Sequence, residues 1–379
     1  MRPLKIMHVT TIDLTARCFL RPLFKMLTEQ GHKVILACTV EKFRDEIEAT
    51  GAEVIHLPIS RRISPVKDIA SFLDLIYLIR RVKPDIVHSH TSKAGFLTRI
   101  AARLCGVPLV IHTIHELPEN STSSLLIKKF YRALEFIAAR FAHHHITVSM
   151  PNYDQIIAEG ICKPKGLTLI REGLNLEKYK ASKTPAQVRE EFGIPENDPL
   201  IVSVGRLEPA KGHDDLLKAF SYVVREFPDA KLIIVGTGHL YDVLQKRISI
   251  LGIDGKAILA GWREDMLDIL GAADVFALAS LYEGLGIATM EAMAMSRPVV
   301  CSGVGGVTDV VVDGETGFLT PAHAPEIMAE KICILLGDKE KAASFAASAR
   351  NRVETVFRED KLTQDIIDLY MKLAEGRIF

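Results

Sequence analysis

No C-x-x-C pair occurs in this chain of 379 residues, and its six cysteines, at 18, 38, 105, 162, 301 and 333, are scattered. That spacing suits neither a zinc ribbon nor a disulfide framework and predicts idle or buried thiols. No apolar run approaches the roughly 20 residues of a membrane span. The longest, residues 72–79, carries Asp74. Residues 1–6 lack the apolar stretch of a secretion signal, so the expected location is cytosolic. No segment reads G-x-x-x-x-G-K-[ST]. The glycine turns Gly236-Thr237-Gly238 and Gly303-Val304-Gly305-Gly306 do not complete G-x-G-x-x-G. P-loop hydrolysis and dinucleotide binding thus lack their usual signatures. There is no Asp-x-Asp metal motif, and no basic platform interleaved with aromatics that would suit nucleic acid.

Charge is plentiful but balanced, with 47 basic and 47 acidic side chains. The balance hides an asymmetry: residues 1–180 hold 26 Lys and Arg against 17 Asp and Glu. A basic front half suits an anionic partner such as a pyrophosphate or anionic lipid. Two solvated surfaces of opposite sign that help the halves associate fit the count equally. At 48% hydrophobic and 25% charged the chain is globular, and its length predicts at least two domains.

Short apolar runs alternate with helical periodicity. Residues 6–9, 34–38, 85–88, 109–112 and 145–148 read as strands, and 19–30, 68–81, 95–104 and 125–141 as helices. After a polar stretch at 179–199 the alternation restarts, with strands at 200–204, 232–235, 257–260, 275–279, 298–301 and 317–319. The pattern predicts an α/β chain of two doubly wound Rossmann-like domains. Such sheets bind ligands at the carboxyl ends of their strands, and two of them leave a cleft between.

The most informative segment is Ser280-Leu281-Tyr282-Glu283-Gly284-Leu285-Gly286 with Glu291. It follows a strand, and a helix starting near Gly286 points free N–H groups at the crevice, which suits a diphosphate. Glu291 falls among Ala288, Ala292 and Ala294, where a carboxylate needs partners such as sugar hydroxyls. From spacing alone the segment also reads as a turn with two solvated glutamates. Gly205-Arg206, with Lys211-Gly212, follows another strand and brings two cations to one loop, suiting a phosphate or forming an exposed basic turn.

Taken together and in this order, these segments resemble the nucleotide-sugar glycosyltransferases of family 4, which have the GT-B fold. Glu283 and Glu291 match the family's E-x7-E motif, and Gly205-Arg206 with Lys211-Gly212 its G-R…K-G element. The resemblance implies two Rossmann-like domains facing across a cleft. It implies an N-terminal acceptor domain (1–178), a C-terminal nucleotide-sugar domain (179–359) and a last helix (360–379) crossing back. It implies retaining, metal-independent transfer of a hexose or N-acetylhexosamine, with no cofactor beyond the nucleoside-diphosphate sugar. Arg206 and Lys211 would hold the diphosphate, Glu291 the ribose, and Glu283 would face the transferred sugar. Gly205, Gly236 and the backbone at Leu285 and Gly286 would line the donor. Three departures stand out: Asp309 after Gly305-Gly306, Ser296 where a glycine is usual, and Glu172-Gly173-Leu174-Asn175 where Asn-Gly-x-Asp is common.

In the front half, His88-Ser89-His90-Thr91-Ser92-Lys93-Ala94-Gly95 and Thr10-Thr11-Ile12-Asp13 resemble the capsule, exopolysaccharide and O-antigen subgroup. That likeness implies surface polysaccharide synthesis on a glycan or polyprenyl-diphosphate-linked acceptor. Lys93 at a helix start is suited to a phosphate or is a solvated lysine. His115 is suited to a sugar or bonds backbone. The run His143-His144-His145 reads as structural. Lys128, Lys129 and Arg132, with Arg61-Arg62 and Arg80-Arg81-Lys83, add a positive field that fits peripheral contact with the cytoplasmic face of an inner membrane. A nucleotide-sugar epimerase of the same fold and a non-catalytic nucleotide-sugar-binding scaffold are the rival readings.

Overall fold

The computed structural model describes residues 2–60, 64–117, 124–375 and 377–378. The chain divides into two compact units, Met1–Gly173 with Glu359–Phe379, and Leu174–Arg358. Arg61 and Arg62 lie outside the described residues.

Unit 1 is built on a parallel sheet of β1 (Lys5–Ile12), β2 (Lys33–Thr39), β3 (Glu53–His56), β4 (Ile86–His90), β5 (Leu109–Ile114), β6 (His144–Thr147) and β7 (Leu167–Leu169). Their spatial order is β3-β2-β1-β4-β5-β6-β7. Unit 2 holds β8 (Leu200–Val204), β9 (Lys231–Val235), β10 (Ala257–Gly261), β11 (Val275–Leu278), β12 (Val299–Ser302) and β13 (Phe318–Thr320), in the order β10-β9-β8-β11-β12-β13. The central strands are buried on both faces, which is why they read as unbroken apolar runs rather than as alternation. Each sheet reverses its winding once, between β1 and β4 and between β8 and β11. At such switch points the flanking connections part in opposite directions and leave a crevice above the carboxyl ends.

The structure corrects several sequence expectations. The helix expected at 19–30 is Arg21–Glu29, and a separate helix, Asp13–Phe19, precedes it; Pro22 has no N–H to continue the first and fits the opening turn of the second. Strands β3 and β7, of 4 and 3 residues, were not foreseen. The polar linker holds one short helix, Pro185–Glu191, closed by a capping box between Thr184 and Gln187. The last helix, Glu359–Glu375, buries Ile367, Tyr370 and Ala374 in the unit 1 core with Phe24 and Leu27. Arg99, fully buried on the helix Ser92–Leu104, grips Glu135 of the helix Leu125–Ala139 bidentately at 2.6 and 2.9 Å. None of the six cysteines is in a disulfide.

Candidate active site

The switch point of unit 2 gathers four glycine turns. A Cβ on Gly212 would lie 1.9 Å from the Ala279 carbonyl, one on Gly236 2.0 Å from that of Gly205, and ones on Gly305 and Gly306 2.1 and 2.2 Å from those of Glu283 and Gly284. The loops after β8, β9, β11 and β12 thus meet main chain to main chain. They are tied by Leu281 N–H to Ala210 O (2.8 Å), Gly205 N–H to Val235 O (3.0 Å) and Gly306 N–H to Glu283 O (3.0 Å). Gly286, at φ 91°, turns the chain into the helix Ile287–Ala294, whose first N–H groups have no partner within the helix.

Onto this floor the loops place the expected residues. Lys211 donates to Glu283 Oε1 at 2.6 Å, and Ser280 Oγ donates to the same oxygen at 2.6 Å. The cation and the carboxylate expected to serve different parts of a ligand are therefore in direct contact. Arg206 points outward and donates to Glu208 at 2.9 Å, so Arg206 and Lys211 share a loop but not a partner. Glu291 accepts from the Tyr179 hydroxyl at 3.3 Å, and burial pushes its carboxyl up to about 7 against that bond. Beneath the loop, His213 bonds the Arg206 carbonyl at 3.1 Å, and burial holds it down at about 4. It is a neutral strut rather than a third cation. Ser296, where glycine is usual, sits at φ 55°. Its N–H reaches Met293 O and that of Arg297 reaches Ala292 O, the two bonds of a Schellman cap.

At the switch point of unit 1, Thr91 opens the helix Ser92–Leu104 from a positive φ of 60° and shares a 2.8 Å bond with Thr11 on β1. Lys93 is held 2.5 Å from Asp68, so any anion it meets competes with that carboxylate. His115, after β5, is bonded through Nδ1 to Glu172 at 2.7 Å and lies 3.4 Å through Nε2 from His90. It is not the backbone-bonded histidine of the alternative reading. His143, His144 and His145 serve the fold: His143 accepts from Val110 N–H, His144 bonds Thr168, and His145 is buried.

Sequence reasoning missed Ser280, Tyr179, Glu172 and the buried imidazoles His8, His88 and His90 as site groups. His88 and His90 stand two apart on one strand, hence on one face, which was the available signal. Among the described residues these three imidazoles are the one group close enough to share a metal ion. In this structure their nitrogens are engaged elsewhere: His88 bonds the Tyr370 hydroxyl and Thr113 Oγ1, and His8 Nδ1 bonds His90 Nε2.

Two Rossmann-like units, each with a ligand-ready switch point, define the GT-B class. Residues 186–352 match the family described as glycosyl transferases group 1, and residues 19–178 match glycosyltransferase family 4. The chain is 30% identical over 382 residues to the Escherichia coli UDP-Gal:alpha-D-GlcNAc-diphosphoundecaprenol alpha-1,3-galactosyltransferase, covering 99% of this chain and 98% of that one. It is 26% identical to the capsular polysaccharide biosynthesis glycosyltransferase CapM of Staphylococcus aureus, with both chains covered fully. In fold it is similar to Anabaena Alr3699/HepE, solved with UDP and glucose, at a TM-score of 0.85 and 21% identity over 97% of this chain and 100% of that one. The chain belongs to glycosyltransferase family 4 and is a glycosyltransferase.

Proposed function

We propose that this glycosyltransferase moves a hexose or N-acetylhexosamine from a UDP-sugar to a glycan or polyprenyl-diphosphate-linked acceptor in surface polysaccharide synthesis, with retention and without a metal. The observation that carries this is the convergence of Lys211, Glu283, Ser280 and the start of the helix Ile287–Ala294 at the β8/β11 switch point. Departure of the diphosphate concentrates negative charge on the leaving group while the sugar becomes oxocarbenium-like. Lys211, already desolvated on one side by Glu283, meets the first charge together with the helix N–H groups and Arg206. Glu283, held by Ser280, faces the second. Glu291 takes the ribose hydroxyls as acceptor. A UDP-sugar is supported by the UDP-Gal in the name of the Escherichia coli relative, and a lipid diphosphate acceptor by the same name.

Unit 1 takes the acceptor in this reading and rests on anionic lipid at the cytoplasmic face of the membrane. The helices Pro65–Val82 and Leu125–Ala139 flank the helix Ser92–Leu104. They expose Val66, Ile69, Leu73 and Tyr77, and Leu125, Leu126 and Phe130, beside Lys128, Lys129 and Arg132. An apolar face with a basic fringe is the composition that binds interfacially. Among the described residues no helix is long and apolar enough to cross a membrane.

The test is a turnover screen of UDP-, GDP- and ADP-sugars in chelator, with and without lipid-diphosphate acceptors, followed by anomeric analysis. UDP released only when acceptor is present supports the proposal. Release or interconversion without acceptor favours the epimerase, binding without turnover favours the scaffold, and loss of turnover in chelator ends the metal-free mechanism. Sedimentation with anionic vesicles at low salt and release at high salt is expected; failure to sediment removes the membrane contact.

A further inference from the structure

Four side chains, from β1, β4, the turn after β5 and the junction after β7, follow one another in contact inside unit 1. Glu172 Oε1 lies 2.7 Å from His115 Nδ1, His115 Nε2 lies 3.4 Å from His90 Nδ1, and His90 Nε2 lies 3.2 Å from His8 Nδ1. Beyond that, His8 Nε2 is buried with no partner among the described residues. A carboxylate only accepts, and a neutral imidazole has one donor and one acceptor. For three neutral imidazoles the proton positions then follow. His115 carries its proton on Nδ1, toward Glu172. Its Nε2 is a lone pair, so His90 donates from Nδ1. His90 Nε2 is in turn a lone pair, so His8 donates from Nδ1, and the atom left over is the His8 Nε2 lone pair. An orphaned acceptor is less costly than an orphaned N–H, and the count closes on the atom that has no partner.

The surroundings keep the two inner imidazoles, His8 and His90, neutral and packed. Burial holds His8 down at about 3, and burial together with the neighbouring His8 and His115 holds His90 well below the ordinary imidazole range. The rings of His8 and His90 lie 13° from parallel, and Phe24 packs on His8 at 4.8 Å between centroids. His88 packs on His90 at 4.1 Å and is itself pinned by Tyr370 and Thr113. At the outer end, His115 and Glu172 are part-exposed, and the second Glu172 oxygen has no protein partner among the described residues.

We propose that His8, His90, His115 and Glu172 form one directional hydrogen-bond row, in which His8 and His90 are positioning residues that hold His115 in its Nδ1–H form, and Glu172 accepts a hydroxyl of the sugar-bearing substrate. This rests on the reading that unit 1 binds such a substrate. Glu172 is then a specificity residue, because a carboxylate there rewards a hydroxyl donor and rejects a group that can only accept.

The experiment uses the full chain with ¹⁵N-labelled histidine. In the unsubstituted protein the His115 ring is expected to show a protonated Nδ1 and a bare Nε2. In Glu172→Ala it should relax toward the Nε2–H form that free imidazole favours. Glu172→Ala should lower kcat on the order of a hundredfold. KM for the donor should stay within about twofold, because a positioning loss differs from a loss of uniform binding. Glu172→Gln, which can still accept from Nδ1–H, should recover part of that loss. His90→Phe tests the inner link where it folds; Glu172→Ala, at a part-exposed position, keeps the test open where it does not. A bare Nδ1 on His115 in the unsubstituted protein overturns the row. So does uptake of one equivalent of Zn²⁺ or Co²⁺ that His90→Phe abolishes. Expected ring shifts with unchanged transfer by Glu172→Ala overturn the sugar contact. Absence of transfer by the unsubstituted protein with every donor sinks the broader reading instead, with the ring shifts still deciding the row.

Discussion

Replacing Glu291 by glutamine should make the protein more stable and a poorer binder of nucleotide, and the first effect should depend on pH. Burial raises this carboxyl from 4.5 to about 7, so the fold favours its protonated form. Its contribution to stability is therefore full below pH 4.5 and is lost as pH rises through about 7. A shift of that size corresponds to about 3 kcal/mol once the group is fully ionised. The side chain keeps partial access to solvent, and screening reduces the expected cost to about half of that. Glutamine cannot ionise, and its carbonyl still accepts from Tyr179. Above pH 7 the variant should gain about 1.5 kcal/mol, or roughly 3–6 °C in the melting of unit 2. Near pH 4.5 the two proteins should melt together. If the carboxylate takes ribose hydroxyls, the variant also loses a charge-assisted bond of about 1.5–3 kcal/mol, and UDP affinity should fall about tenfold or more. Calorimetry between pH 4.5 and 8, with UDP titrations at pH 7.5, reads both effects. A melting difference that does not change with pH would refute the assignment of the raised carboxyl to Glu291. Unchanged UDP binding would remove its role at the donor.

Three further outcomes are expected. Arg206→Ala combined with Lys211→Ala should abolish transfer while circular dichroism still shows a folded chain, with melting lowered because Glu283 loses its buried partner; retained turnover would mean that the diphosphate lies elsewhere. Gly305→Ala forces a Cβ against the Glu283 carbonyl at a φ of 47° and should cost well over 1 kcal/mol in urea unfolding and weaken UDP binding together; a neutral result would contradict the main-chain contact. Ser296→Gly should stabilise by about 0.5–1 kcal/mol, since it relieves a left-handed serine at the cap of the helix Ile287–Ala294, less the entropy of a freer unfolded chain; destabilisation on urea unfolding would show that the serine side chain matters there.

The legible parts of the sequence were those governed by local rules. A strand such as Leu200–Val204, buried on both faces, reads as a plain apolar run, and Gly286 followed by an alanine-rich stretch reads as a turn into a helix. β7 was invisible because three residues carry no period. The break at Leu20 was legible in principle from Pro22. At the site, the motifs located Lys211 and Glu283 at two strand ends, but their ion pair joins residues 72 apart in sequence and needs β8 beside β11. The imidazole row was less legible still. His8 sits in an ordinary apolar strand, and only the register that pairs His8 with His88 brings β1 and β4 histidines to one face. Glu172 was visible only as a departure at the junction, and Ser296 only as a missing glycine, until the backbone angle gave that position its meaning.

Where one loop's Cα rests on the next loop's carbonyl, no position remains at which a side chain can be installed. The floor above β8, β9, β11 and β12 is a mould cast in peptide groups, and in the proposed reading it presents the same dipoles to any diphosphate laid over it. Within unit 2, chemical choice is thereby displaced to the rim, to groups such as Arg206 and Glu291 with Tyr179. A scaffold divided in this way can vary the side chains at its edge by single substitutions, while the main-chain contacts beneath them tolerate almost none.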